Sequence, residues 1–203
     1  MQAPDFWRHD GLVPRLLSPL AGYTNLPFRL TLRALGGLGL ATTDLVNARS
    51  LLERRTKAFK LIETNSADRP LAVQLFGSVP EEMRDAAVLV ESRGAAVVDI
   101  NMGCPVRKVA KTGAGSALLA DPSRAVAVVV AVVGVASQRG VPVMVKLRGG
   151  LRPGDGLGLG LAPRLEAAGV AALGVHPRAA SEYYSGVADH SVTAAIRAAP
   201  AAA

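Results

Sequence analysis

The sequence predicts an α/β protein built on a parallel sheet, a TIM-type (β/α) barrel with about six of its eight strands present. Three observations predict it. Short apolar runs of strand length alternate with helix-length segments along the chain. In the later runs hydrophobicity is continuous instead of alternating, as expected where both faces of a parallel sheet are covered. The polar residues fall at the carboxyl ends of those runs, the rim where β/α barrels keep their sites.

Residues 16–21 read as the first strand and 27–35, with Arg29 and Arg33 on one face, as a helix. Residues 38–46 are a second, weaker strand, followed by a basic helix over 50–63. The third strand, 70–76, stops at Gly77. Ser78-Val79-Pro80-Glu81 then resembles a capping box, with Ser78 accepting from the first turn and Glu81 reaching back, and opens a helix to about Arg93. The fourth strand starts near Ala95 and ends at Asn101. After a loop through Lys111 and Gly115, Asp121-Pro122 supplies an N-cap with proline at the first helical position. Residues 142–147 and 170–175 are the fifth and sixth strands. An open doubly wound sheet fits the same alternation, but its first strand usually leads into a glycine-rich phosphate turn, and here it leads into Ala21-Gly22-Tyr23-Thr24-Asn25. The stretch Gly154-Asp155-Gly156-Leu157-Gly158-Leu159-Gly160 is a simple alternation and reads as a flexible loop.

Composition narrows the functional classes. Half of the 203 residues are hydrophobic, enough for a substantial core, and the net charge of +7 favours a polyanionic partner such as nucleic acid. A single cysteine excludes an internal disulfide framework and a multi-cysteine zinc site, and fits a reducing compartment. Residues 1–10 lack the apolar core of a signal peptide, and the longest apolar run, 125–136, is too short to cross a bilayer and reads as a buried helix. A cytoplasmic protein is the expectation.

The chemistry concentrates in Asp99-Ile100-Asn101-Met102-Gly103-Cys104-Pro105, where a buried strand ends in an amide, a flexible position, the lone thiol and a proline. In a barrel, Asn47 and Arg49, Gln74, Asn101 and Cys104, Lys146 and Arg148, and His176 and Arg178 converge on one mouth. Arg54, Arg55, Lys57 and Lys60 in one segment, and Arg107, Lys108 and Lys111 in another, add positive charge there and suit a substrate embedded in a polyanion. Lys146, flanked by Val145 and Leu147, needs an anionic partner, either a ligand or an acid such as Asp99. Cys104 is either a buried thiol acting as a small hydrophobe or a reacting group.

Pro19-Leu20-Ala21-Gly22 with Pro27-Phe28-Arg29, then Ala72-Val73-Gln74-Leu75-Phe76-Gly77, then the Cys104 segment running into Lys108-Val109 and Ala114-Gly115-Ser116-Ala117-Leu118-Leu119, occur in that order. Val145-Lys146-Leu147-Arg148 and His176-Pro177-Arg178 with Tyr184-Ser185-Gly186 follow. Together they resemble the tRNA-dihydrouridine synthase family. The resemblance implies that FMN reduced by NADPH delivers hydride to C6 of a uracil in tRNA, while Cys104 protonates C5. It implies FMN contacts from Pro19, Leu20, Ala21, Gln74, Lys146 and His176, and substrate contacts from Asn101, Arg148 and Arg178. Leu20 stands where many relatives have Met, and Ala179 where Thr is frequent. Six strands against eight imply the N-terminal portion of the FMN-binding barrel, truncated, with strands one and six as open edges and the family's helical C-terminal tRNA-binding domain absent. Two other readings share some of these features: another FMN barrel oxidoreductase of the dihydroorotate dehydrogenase kind, against which the Lys108-Val109 and Ala114-Gly115-Ser116 continuation speaks, and a non-catalytic RNA-binding remnant.

Overall fold

In a computed structural model, which describes residues 15–199, the strand-like runs pair into one all-parallel sheet. Its strands are β1 (Arg15–Leu17), β2 (Leu38–Thr42), β3 (Val46–Asn47), β4 (Leu71–Phe76), β5 (Val97–Met102), β6 (Val143–Gly150) and β7 (Ala172–Ala179). The order is β1-β2-β4-β5-β6-β7, with β3 a short second pairing on β4. Between them lie α1 (Leu26–Ala34), α2 (Ala48–Leu52), α3 (Thr56–Leu61), α4 (Pro80–Ser92), α5 (Arg107–Ala110), α6 (Pro122–Ala136) and α7 (Leu157–Ala167), and α8 (His190–Ala198) follows β7. Six principal strands with flanking helices make a half-barrel, the incomplete TIM-type architecture that the alternation of segments predicts.

Strand periodicity sorts the side chains onto two faces. Leu71, Val73 and Leu75 of β4, Val98, Ile100 and Met102 of β5, and Val143, Val145 and Leu147 of β6 belong to one continuous core with Met83, Ala86, Ala87 and Val90 of α4 and Ala125, Val128, Val129 and Val132 of α6. The inner face carries a separate small cluster, Leu40, Ala72 and Val97 with Met144 packed against it. Toward the carboxyl end that face turns polar: the next inward positions are Gln74, Asp99, Asn101 and Lys146, so hydrophobicity that looks continuous in sequence is apolar throughout only on the helix side.

Several elements differ from expectation, each for a local reason. The first strand is only Arg15–Leu17, because Tyr23 N–H and Thr24 N–H donate to Leu20 O and wind residues 20–24 into a turn. The second strand stops at Thr42; Thr43 N–H makes one more backbone bond, to Ala72 O (3.0 Å), and side chains then take over: Thr43 Oγ1 accepts from Gln74 N–H (3.1 Å), and the Asp44 carboxylate accepts from Gly22 N–H (2.5 Å) and Leu45 N–H (2.8 Å). The basic helix is two short ones, α2 and α3, broken where Arg54 takes φ 56°. Lys60 lines a surface cavity with Arg93, the residue that closes α4 ahead of β5, so this end of the basic segment lies at the amino end of the sheet, away from the mouth. No capping box forms at α4. Ser78 Oγ instead donates to Thr112 O (2.6 Å), and Pro80 in the first turn has no N–H to satisfy. The Asp121 cap does form, accepting from Arg124 N–H (3.0 Å).

The glycine-rich stretch is not a loop throughout, since α7 begins at Leu157. Asp155 collects Leu151, Arg152 and Leu157 N–H groups, and a Cβ on Gly158 would sit 2.4 Å from Arg148 O and 2.6 Å from Gly149 O, so only glycine lets the helix rest on β6. The apolar run within α6 is helical but buried on one face only, through Ala125, Val128, Val129, Val132 and Ala136, with Val130 53% exposed, and no helix among the described residues is long and apolar enough to cross a membrane. Expectations about residues 1–10 and the terminal alanines lie outside the described residues.

α1 is fastened to the rest by charge. Arg29 and Asp68, both fully buried, pair through Nε (2.9 Å) and Nη2 (2.8 Å), and Arg33 Nε reaches the other carboxylate oxygen (3.0 Å). Arg29 Nη1 also donates to Thr24 O (2.6 Å), which ties the turn at residues 20–24 to this network. Asp68→Ala would strand two guanidinium groups, one of them fully buried, and we expect it to cost about 3–5 kcal/mol in urea unfolding; a change under about 1 kcal/mol would contradict the assignment.

Candidate active site

The carboxyl ends of β1, β4, β5, β6 and β7 enclose a cavity of about 310 Å3. Pro19, Leu20, Ala21, Gln74, Asn101, Cys104, Lys146, Arg148 and His176 all line it. Strand register explains the convergence: Gln74 pairs with Asp99, Asn101 with Lys146, and Arg148 with His176, so successive inner-face positions stack toward the mouth. Arg178 is the exception. Between Arg148↔His176 and Gly150↔Ala179 the β7 side has one extra residue, a bulge that reverses the alternation. Arg178 therefore donates to Ser185 O (3.1 Å) and Gly186 O (3.0 Å) and lines a neighbouring cavity instead. Asn47 and Arg49 also lie outside the pocket, the first capping α2 and the second paired with Glu82 on the surface.

Around Cys104 the backbone is held from both sides. Its N–H donates to Asn101 Oδ1 (2.9 Å), as does Gly103 N–H (3.2 Å), while its carbonyl accepts from Ser116 N–H (3.0 Å). Gly115, at φ 62°, makes that last bond possible, because a Cβ there would stand 2.6 Å from Cys104 O. The thiol is half-buried at the pocket wall. Beneath it, Asn101 Nδ2 donates to Gln74 Oε1 (2.8 Å), and Gln74 Nε2 donates to Asp99 Oδ2 (2.7 Å).

The charges here are held against their preference for water. Burial pushes the Asp99 carboxyl up to about 6 and the Lys146 ammonium down to about 8. No ion pair joins the two, although each favours the other's charged form. His176 is pushed down to about 4, first by burial and then by Arg148, Lys146 and Arg178, so it is neutral at pH 7 with a buried Nδ1 that has no partner. Arg148 is spent on the walls: Nε donates to Gly103 O, and Nη1 to Ala179 O and Tyr183 O. With His176 neutral, the Lys146 and Arg148 cations outweigh the one buried carboxylate, Asp99, and leave a field that favours an anionic ligand.

Sequence reasoning underrated three contributors. Asp99 figured only as a possible partner for Lys146, although its place two residues before Asn101 puts it on the same face. Asp44 fastens the Leu20–Ala21 wall through Gly22 N–H. Tyr183 has φ 52°, ψ −97° in a turn closed by Ser185 N–H donating to Glu182 O (2.9 Å), a position where glycine is favoured, so its backbone is strained at the mouth. Its neighbour Tyr184 lies over Arg148 (5.7 Å to the ring centre) and edge-on to His176.

A half-exposed thiol, two buried amides and a buried amine around one opening can hold a planar heterocycle with donors and acceptors on its edge and give it a proton. Comparison with known proteins gives the family. Residues 16–200 match the dihydrouridine synthase (Dus) family model. The chain is 37% identical over 187 residues to the probable tRNA-dihydrouridine synthase of Rhodobacter capsulatus, covering 92% of this chain and 56% of that protein. It is 38% identical over 190 residues to tRNA-dihydrouridine synthase B of Pseudomonas syringae pv. tomato, covering 93% and 54%. The chain thus spans about half the length of the curated relatives it matches. A match over nearly every described residue, with the motif residues meeting in one cavity, places the chain in the dihydrouridine synthase family.

Proposed function

We propose that these residues are the N-terminal portion of an FMN-binding β/α barrel that reduces uridines in tRNA to 5,6-dihydrouridine with electrons from NADPH. One observation carries the reading: the only thiol shares a single cavity with the amides of Gln74 and Asn101 and the amine of Lys146. The residues fit FMN. The Lys146 amine lacks an ion-pair partner, His176 Nδ1 is a buried orphan, and Gln74 and Asn101 each keep one N–H not used in their mutual bonds. In this reading Lys146, Gln74 and His176 hold the flavin with Pro19, Leu20 and Ala21 as an apolar wall, and Asn101 and Arg148 face the uracil. Arg178, turned aside by the bulge, acts outside the pocket. Bound and reduced, FMN supplies the hydride-transfer chemistry. The chain's part is placement and a proton. Cys104 Sγ–H protonates C5 and is restored from water through the open mouth. The target base must leave its stack to enter, which suits a mouth flanked by exposed Arg107, Lys108 and Lys111.

The test supplies the protein with FMN, NADPH and an unmodified tRNA transcript. The expected result is NADPH oxidation that depends on tRNA, with dihydrouridine found in the RNA by mass spectrometry. Oxidation driven by orotate and not by tRNA would overturn the reading in favour of a dihydroorotate dehydrogenase-like reaction. Binding of tRNA with no turnover would favour an RNA-binding role.

A further inference from the structure

Beneath the cavity a chain of buried hydrogen bonds runs in one direction. Cys104 N–H and Gly103 N–H donate to Asn101 Oδ1, Asn101 Nδ2 donates to Gln74 Oε1, and Gln74 Nε2 donates to Asp99 Oδ2. We propose that Asp99 is a positioning residue: its carboxylate sets which way the Gln74 amide faces and, through it, holds Asn101 and the Cys104 loop in register with the cavity. This rests on the reading of the cavity as the reaction site, and it adds a residue that touches neither flavin nor substrate in that reading.

Directionality carries the inference. At the upper end the partners are backbone N–H groups, which can only donate, so the Asn101 oxygen must face Cys104 and its nitrogen must face Gln74. Gln74 then has to present its oxygen to Asn101 and its nitrogen to Asp99. An ionised carboxylate, which can only accept, agrees with both ends. A protonated Asp99 that donated to Gln74 would reverse that amide, setting Gln74 Nε2 against Asn101 Nδ2, two donors face to face in a buried layer where an unmade hydrogen bond is expensive. Both amides are buried, so water cannot repair the mismatch. In the consistent orientation each amide keeps one N–H outside the chain, and both residues line the cavity.

The surroundings of Asp99 contain one other charge close enough to matter. Gln74 faces it from β4 and Lys146 from β6, while Thr42 of β2, Ser18 beyond β1 and Gly174 of β7 line the 200 Å3 space on its open side. Arg148 and His176 lie higher on the inner face, where Arg148 acts on Lys146 and both cations act on His176. Titration of this layer between pH 5 and 7 therefore reports Asp99, whose carboxyl burial holds at about 6.

The experiment follows the side-chain amide signals of Gln74 and Asn101 and the backbone amide of Cys104 by 15N NMR from pH 5 to 8, in the full chain without ligand. In the wild type the three sets of signals move together with a midpoint near 6. Asp99→Asn keeps an acceptor oxygen for Gln74, so it leaves the signals near their pH 8 positions and abolishes the step. Asp99→Leu displaces all three sets at every pH. Flavin affinity, measured at pH 7.5, falls at least tenfold in Asp99→Leu and is restored in Asp99→Asn. Movement of Gln74 alone, persistence of the step in Asp99→Asn, or unmoved Cys104 signals in Asp99→Leu would each overturn the proposal. Wild-type protein that shows the concerted titration but binds no flavin would instead overturn the FMN reading and leave the positioning role standing.

Discussion

Cys104→Ala is expected to lower dihydrouridine formation by about 10²–10⁴-fold while flavin and tRNA binding stay within a few-fold of wild type. The separation follows from how the loop is held. Its fixed points are backbone groups: Cys104 N–H on Asn101 Oδ1, and Cys104 O under Ser116 N–H. Neither involves the sulfur, so alanine keeps the loop, its bond to Asn101 and the packing of Gly115 against it. What disappears is one transferable proton beside the cavity. Reduction of a pyrimidine double bond needs a proton at one carbon for the hydride that arrives at the other, and a water drawn from the open mouth is a poorly placed substitute. Cys104→Ser refines the test, because it restores size and hydrogen bonding but not acidity, and it should recover little of the lost rate. Mass-spectrometric quantification of dihydrouridine against time reads both variants. Turnover by Cys104→Ala within threefold of wild type would remove the thiol from the chemistry.

The parts of this site that were legible in the sequence are those governed by simple periodicity. Asn101 and His176 close apolar runs, Gln74 and Lys146 interrupt theirs near the carboxyl end, and parallel strands in regular register bring such positions to one rim. Arg178 obeyed the same rule on paper and failed it in space, because one unpaired residue in β7 makes a bulge, for which Pro177, with no N–H to give the ladder, was the one signal in the sequence. The Ser78 capping box failed for a related reason. The residues had the right spacing, but the hydroxyl found a tertiary partner in Thr112 O, 34 positions away. Asp44 and Asp68 were silent for the same cause. Each is an ordinary acid in sequence and becomes structural only through partners on other elements, Gly22 for one and Arg29 with Arg33 for the other.

The second large effect is one of stability, and its sign is the informative part. Replacing Lys146 with methionine is expected to make the ligand-free protein more stable at pH 7 while weakening flavin binding at least 100-fold. A base whose folded value is lowered, here from 10.5 to about 8, opposes folding wherever it is charged; the penalty is complete below about pH 8 and fades as pH rises toward 10.5. An acid whose folded value is raised, here Asp99 from 3.8 to about 6, opposes folding wherever it is ionised; that penalty is complete above about pH 6 and fades as pH falls toward 3.8. Both therefore act in full between about pH 6 and 8. At about 1.4 kcal/mol per pH unit each is on the order of 3 kcal/mol. Methionine fills the space of the lysine stem without its charge, and part of the gain is offset because Asp99 loses its neighbouring cation, so a net increase of about 1–2 kcal/mol in urea unfolding is the expected outcome. An anionic ligand reverses the ranking. It supplies the counter-charge that Lys146 lacks, so saturating FMN should stabilise the wild type and leave the methionine variant nearly unchanged. Loss of more than 1 kcal/mol in the ligand-free variant, or equal stabilisation of both proteins by FMN, would show that the lysine is satisfied within the fold. If the cavity binds FMN as proposed, a buried amine between Val145 and Leu147 with no carboxylate paired to it is a residue kept for the ligand at a cost in the stability of the empty fold.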